Sequence, residues 1–177
     1  MLFDYRQGRG REDPTEILKN FKGHLQTDGY GVYDQFGQRE HITLIHCWAH
    51  VRRKFTDALD SDPARADVAL THIQKLYAVE REIKQLQLNS EQAVEIRKQK
   101  SLPVTQALEK WMTETITQVL PKSLIAGAIV YTLPRIDALK CYLSDARLQI
   151  DNNLTENAIR PVAVGRKNYL FAGSHSS

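Results

Sequence analysis

The sequence predicts an α/β fold that carries a large all-helical block. Three observations predict it. Short β-branched runs alternate with amphipathic stretches over residues 1–62, the pattern of strand–helix–strand units with parallel pairing. Over 63–146 apolar residues recur at three- and four-residue spacing, which is a helical period. The last segment, 147–177, returns to short apolar runs set among acids, amides and cations. The chain thus divides into a sheet portion at 1–62, a helical insertion at 63–146 and a closing portion at 147–177.

Each element follows from local chemistry. Residues 2–5 alternate like a strand end. Asp13-Pro14-Thr15-Glu16 predicts a helix start, with Asp13 as cap, proline in the first turn and Glu16 closing a capping box. Gly23 is the expected terminator of that helix. Residues 25–27 read as a short strand that stops at Asp28-Gly29. Residues 30–36 suit a short helix. The β-branched run 42–47 predicts a buried strand, and 48–59 a helix bearing Arg52, Arg53 and Lys54. Asp62-Pro63 marks the change to the helical block. There 64–100 reads as one helix, with Leu70, Ile73, Leu76, Tyr77, Ile83 and Leu86 along its apolar face. Ser101-Leu102-Pro103 is the expected break. A second helix is predicted over 104–119, a buried one over 123–132, and another from Pro134 through Ile136, Leu139 and Leu143.

Composition excludes several classes. The 177 residues are 42% hydrophobic and 25% charged, ordinary for a globular protein. The two cysteines, Cys47 and Cys141, form no disulfide framework and suit a reducing compartment. No apolar run approaches membrane-spanning length, and the first residues lack the form of a signal peptide. A cytoplasmic protein is expected. The net charge of +3 is compatible with nucleic acid but does not demand it.

Asp28 stands where a strand ends and a glycine follows. Asp-Gly is a common turn dipeptide. A carboxylate at the carboxyl end of a strand also faces the crevice where α/β sheets bind ligands. Glu156 has two readings as well. Asn153-Leu154-Thr155-Glu156 has capping-box spacing. Yet Asp151, Asn152, Asn157, Arg160, Arg166 and Lys167 crowd around it. Carboxylates hold hard cations, whereas guanidinium, ammonium and amide groups hold phosphates. His46, Cys47 and His50 lack a second ligand pair for zinc, so Cys47 and Trp48 are expected in the core. His50 with Arg52, Arg53 and Lys54 is either a solvated face or a phosphate-contacting edge.

These motifs carry a family resemblance. Leu25-Gln26-Thr27-Asp28-Gly29-Tyr30, Cys47-Trp48-Ala49-His50-Val51-Arg52-Arg53-Lys54-Phe55 and Ile150-Asp151-Asn152-Asn153 with Glu156 resemble the bacterial insertion-sequence transposases of the insertion-sequence-sixty-six (TnpC) type. So do Arg160-Pro161-Val162-Ala163 and Gly165-Arg166-Lys167-Asn168-Tyr169-Leu170-Phe171-Ala172-Gly173-Ser174. The resemblance implies a ribonuclease-H-like sheet interrupted by a helical insertion, and transposition by metal-assisted phosphoryl transfer. Asp28 matches the second catalytic and metal-binding acid and Glu156 the third, with Mg²⁺ or Mn²⁺ as cofactor. Arg52, Arg53, Lys54, Asn153, Arg160, Arg166 and Lys167 become DNA-contacting residues. The implied partners are transposon terminal inverted repeats, target DNA, further copies of the protein and accessory transposition proteins.

The first acid of that family, on the first strand, has no counterpart here, because Leu2-Phe3-Asp4-Tyr5 matches the third strand. The resemblance therefore implies a partial sheet, an internal segment shortened at both ends and a chain inactive by itself. An open edge along 25–27 would favour association. The alternative is a non-catalytic fragment that binds DNA or associates with an intact transposase, or an inert remnant.

Overall fold

The structure, a computed structural model, describes residues 12–29, 31–153 and 157, with side chains from Pro14 onward. The strand expected at 2–5, Glu156, Arg160, Arg166 and Lys167 lie outside the described residues. Asp13, expected as the cap preceding the first helix, already has helical backbone because that helix includes Glu12.

Pro14 falls within the first helix, α1 (Glu12–Ile17). This helix ends well before Gly23. Gly23 instead opens strand β1 (Gly23–Thr27) with φ +119, a conformation open to glycine because it has no Cβ. Its amide donates to His41 O at 2.8 Å, so the residue expected to end a helix begins the sheet. A 3₁₀ segment spans Gly31–Gln38 and buries Phe36. Strand β2 (Ile42–His46) then pairs with β1 in parallel, Gly23 against Ile42 through Thr27 against His46. The result is a mixed α/β protein, mostly helical among the described residues, with a two-stranded parallel sheet.

Both strands end at the same level, and helix α2 (Trp48–Asp57) starts one residue beyond β2. Helix α3 (Pro63–Gln85) starts as the sequence predicts. Asp62 accepts from Arg65 N at 3.2 Å, and Pro63 occupies the first turn, where its missing N–H costs nothing.

The block then departs from expectation. The break falls at 86–89, not at 101–103. Gln87 adopts φ 50. Asn89 and Gln92 form a reciprocal capping box, 3.0 and 3.1 Å, that opens α4 (Ser90–Ile96). Leu86, expected on the apolar face, is consequently exposed. At 101–103 the helix continues instead. Arg97–Ser101 forms one π turn that runs into α5 (Leu102–Thr115), with Pro103 in its first turn. A helical proline removes one amide donor and crowds the carbonyl four residues back. The wider turn takes up that mismatch without a break. Helix α5 closes at Thr115 rather than at 119. Helix α6 (Leu124–Thr132), capped by Ser123, and α7 (Ile136–Lys140) follow as expected.

One apolar cluster joins the elements. Trp48, Val51 and Phe55 of α2 meet Ile73 and Leu76 of α3, Met112 of α5, Ile129 of α6, Leu139 of α7 and Ile150. No helix among the described residues is long and apolar enough to cross a membrane.

The sheet also buries a titratable side chain against a hydroxyl. His46 is 6% exposed and its Nδ1 lies 3.2 Å from Thr27 Oγ1. Burial, and next the Arg135 charge, hold the imidazole below its ordinary 6.5. The folded state therefore binds its proton less readily than the unfolded chain. This contribution to stability is complete above pH 6.5 and falls away as the pH drops below it. Urea midpoints measured from pH 7.5 to 5 should fall on acidification, and His46→Gln should flatten that fall. A midpoint that drops equally in the variant would show that other groups govern it.

Candidate functional site

The parallel ladder directs two chain ends to one edge of the molecule. β1 delivers Thr27, Asp28 and Gly29. β2 delivers His46, Cys47 and the first turn of α2. Asp28 is exposed, so its carboxylate reaches solvent just past the carboxyl end of β1. Its backbone is held from the helical block, where Tyr131 Oη of α6 donates to Asp28 O at 3.0 Å. Thr27 Oγ1 accepts from Gly29 N at 3.3 Å. Gly29 has φ +81, and a Cβ there would overlap the Tyr131 hydroxyl. Only glycine fits this turn, on both conformational and steric grounds. The Asp-Gly turn and the exposed carboxylate thus coexist at one position, and the two readings of Asp28 are compatible.

Cations gather over the same tyrosine. Arg135 lies 4.5 Å and Lys54 5.6 Å from the centre of the Tyr131 ring. Arg135 Nη1 donates to Tyr131 O at 2.9 Å. Lys54 therefore stands at the Asp28 edge. The Arg52 charge reaches Tyr77, where it opposes the rise in the phenol pKa. Arg52 and Arg53 are exposed.

The segment before the acid–amide motif docks beside this edge. Gln26 Nε2 donates to Gln149 O at 3.0 Å, and Trp48 N donates to Ile150 O at 3.1 Å. Cys47 Sγ donates to Asn152 Oδ1 at 2.9 Å, and Asn152 N returns a bond to the sulfur at 3.4 Å. Burial raises the Cys47 pKa, so the thiol stays protonated and able to donate. Tyr77 Oη of α3 donates to Asp151 Oδ2 at 2.9 Å. Burial first, then the Asp151 carboxylate, push the phenol pKa well up. Asp151 also accepts from Asn153 N at 3.1 Å and Nδ2 at 2.7 Å. Asn153 is thus a donor to Asp151, and Glu156, its expected capping partner, lies outside the described residues.

Sequence reasoning expected Asp28 just past a strand end and Cys47 with Trp48 in the core, and each lies there; it left the face bearing Lys54 open. It missed Tyr77, Tyr131 and Arg135, which brace the edge from the helical block. Their one local signal was the i,i+4 spacing of Tyr131 and Arg135, which suits a cation–aromatic pair on one helical face.

The chain matches the model of the Transposase IS66 family over residues 1–177. It belongs to that family. Among curated proteins, this IS66-family chain is similar to uncharacterized protein y4qI of Sinorhizobium fredii, 37% identical over 98% of the chain and 33% of the relative. Uncharacterized proteins y4jD and y4hP of the same organism are 29% and 31% identical over 96% and 94% of the chain. The IS66-family chain spans about a third of the length of these relatives. No solved structure matches it.

Proposed function

We propose that this chain is catalytic-core sequence of a DDE transposase, serving DNA transposition by metal-dependent phosphodiester hydrolysis and strand transfer. The observation that carries the reading is Asp28, an exposed carboxylate one residue past the end of β1 in a parallel pair, in a chain of the IS66 transposase family. In this reading β1 and β2 belong to a ribonuclease-H-like sheet formed by 1–62 and 147–177, and 63–146 is its helical insertion. Asp28 is the second acid and Glu156 the third.

The donors suit a hard divalent ion, because carboxylate oxygens are its preferred ligands. Among the described residues no group of three or more acidic, histidine or cysteine side chains converges, so the site needs Glu156 and the family's first acid beside Asp28. A bound pair of Mg²⁺ or Mn²⁺ ions would supply activation of the attacking hydroxyl and neutralisation of the leaving oxygen. The chain's own part is placement. Tyr131 and Gly29 fix the Asp28 turn, while Tyr77, Cys47 and Asn152 fix the segment that leads to Glu156. Arg52, Arg53, Lys54, Asn153, Arg160, Arg166 and Lys167 neutralise the backbone of transposon-end and target DNA. The whole transposase would act in the bacterial cytoplasm as an oligomer with its accessory proteins. This chain alone, with two of three acids, would bind metal weakly and transfer no strand.

Mn²⁺ titrated into the ¹⁵N-labelled chain tests the assignment, since paramagnetic broadening detects weak binding. Signals of residues 27–29 should broaden first, and Asp28→Asn should remove that selectivity. Broadening that ignores the substitution would sink the metal-ligand role of Asp28.

A further inference from the structure

Among the described residues, no carboxylate forms an ion pair with the cations around Tyr131. Among the described residues, Arg65, Arg97, Lys100, Lys140 and Arg147 are each paired with a carboxylate, but Lys54 and Arg135 are not. Arg135 is also held in one orientation. Its Nη1 is committed to Tyr131 O, and its side chain lies against the tyrosine ring. Its Nε is buried and has no acceptor. A buried unsatisfied donor costs about 1–3 kcal/mol, so the fold retains this one against a cost. A Cβ on Gly29 would overlap the Tyr131 hydroxyl and lie 3.4 Å from Arg135 Nε, so the guanidinium packs directly against the Asp28–Gly29 turn. The Arg135 charge is felt at the strand ends, since it is the largest cause after burial of the depressed His46 pKa.

We infer that Arg135 and Lys54, braced by Tyr131, form a phosphodiester-binding site that holds a DNA strand against the Asp28 turn. This rests on the reading of Asp28 as a catalytic acid and assigns the strand contact beside it to the helical block. Arg135 Nη2 is not buried and bonds no described acceptor, so it can donate to a phosphate oxygen. Lys54, exposed on α2, adds a second positive charge at the same edge. A strand phosphate brought next to the Asp28 carboxylate needs such charges, because two anions otherwise repel. The Tyr131 hydroxyl is already bonded to Asp28 O, so the ring acts as a brace between the cations and the acid-bearing turn.

The test is DNA binding by the purified chain, read by fluorescence anisotropy on a labelled duplex in EDTA, from about 50 to 200 mM salt. Removing one phosphate contact lowers the slope of log K against log salt by about one. Arg135→Gln and, separately, Lys54→Gln should each show that loss, and Arg135→Lys should restore most of the slope. Lys110→Gln, on the exposed face of α5, should leave it unchanged. Lys54→Gln removes no hydrogen bond within the described protein and keeps the test valid if Arg135→Gln folds poorly. Wild-type binding with the same slope in both variants would overturn this inference and leave the transposase reading standing. No salt-dependent binding by the wild type would overturn both. Displacement of DNA by stoichiometric inorganic phosphate would assign the site to the free anion and overturn the strand contact.

Discussion

Arg97→Met is expected to destabilise the protein by about 3–5 kcal/mol, the range for removing one partner of a buried ion pair. Arg97 is 3% exposed. Its guanidinium makes five hydrogen bonds, which match its five N–H donors. Nε and Nη2 donate to the two oxygens of Glu80 at 2.8 and 2.6 Å. Nη1 donates to Tyr142 O and Asp145 O at 2.7 and 3.0 Å, and Nη2 to Leu148 O at 3.3 Å. Methionine fills similar space but leaves the Glu80 carboxylate and three carbonyls without this donor. For a chain of this size about 2–4 °C in Tm accompanies each kcal/mol, so a drop of roughly 6–20 °C should appear on heating. Arg97→Met with Glu80→Met should be milder than Arg97→Met alone, since the stranded charge is then gone. The carbonyls belong to the stretch that leads into Ile150 and Asp151. Amide exchange at 150–153 should therefore quicken in the single variant. A loss below about 1 kcal/mol would show that the cluster behaves as a surface pair.

Local chemistry made much of this fold legible. The strand at 42–46, the helix after it and the buried helix capped by Ser123 each carry a strong local signal, and all three form. The parallel pairing followed from their order. The misplaced break shows the limit of a local rule. Pro103 reads as a breaker, but a single π turn absorbs it. The true break rests on Asn89 and Gln92, a capping-box spacing that lies within the apolar periodicity read as one helix. Gly23 shows the same ambiguity, because positive φ serves a strand entry as well as a helix exit.

The candidate site was legible only where it is local. Asp28 at a strand end and the cations of α2 follow from short motifs. Tyr77, Tyr131 and Arg97 act across 45 or more positions in bonds such as Tyr131 to Asp28 and Arg97 to Tyr142. No periodicity encodes such contacts. A tyrosine within an apolar helix reads as core until its hydroxyl is seen to reach another element.

Trp48→Ala is the second large effect expected, and it asks how far the helical block depends on the sheet edge. Trp48 is fully buried where β2 turns into α2. Its Nε1 donates to Leu139 O at 3.0 Å, and its backbone N donates to Ile150 O. The residue thus touches α7 and the segment before Asp151 while opening the helix that carries Arg52 and Lys54. Truncation to alanine leaves a large cavity and strands the Leu139 carbonyl, at a cost of about 3–5 kcal/mol for the cavity. Trp48→Phe keeps most of the volume and loses the N–H, so a smaller cost of about 1–3 kcal/mol is expected. The substitution also leaves Trp111 as the sole tryptophan, a reporter set in α5 against Phe55 at 6.5 Å between ring centres. Because Phe55 and Trp48 share one core with Met112 and Ile129, the Trp111 fluorescence transition should move to lower urea in Trp48→Ala. The expected shift matches the full loss of stability seen by far-UV circular dichroism. If Trp111 kept its wild-type midpoint while the circular dichroism signal shifted, the helical block would be a unit that folds without the sheet edge. The bracing of Asp28 by Tyr131 would then join two independent parts.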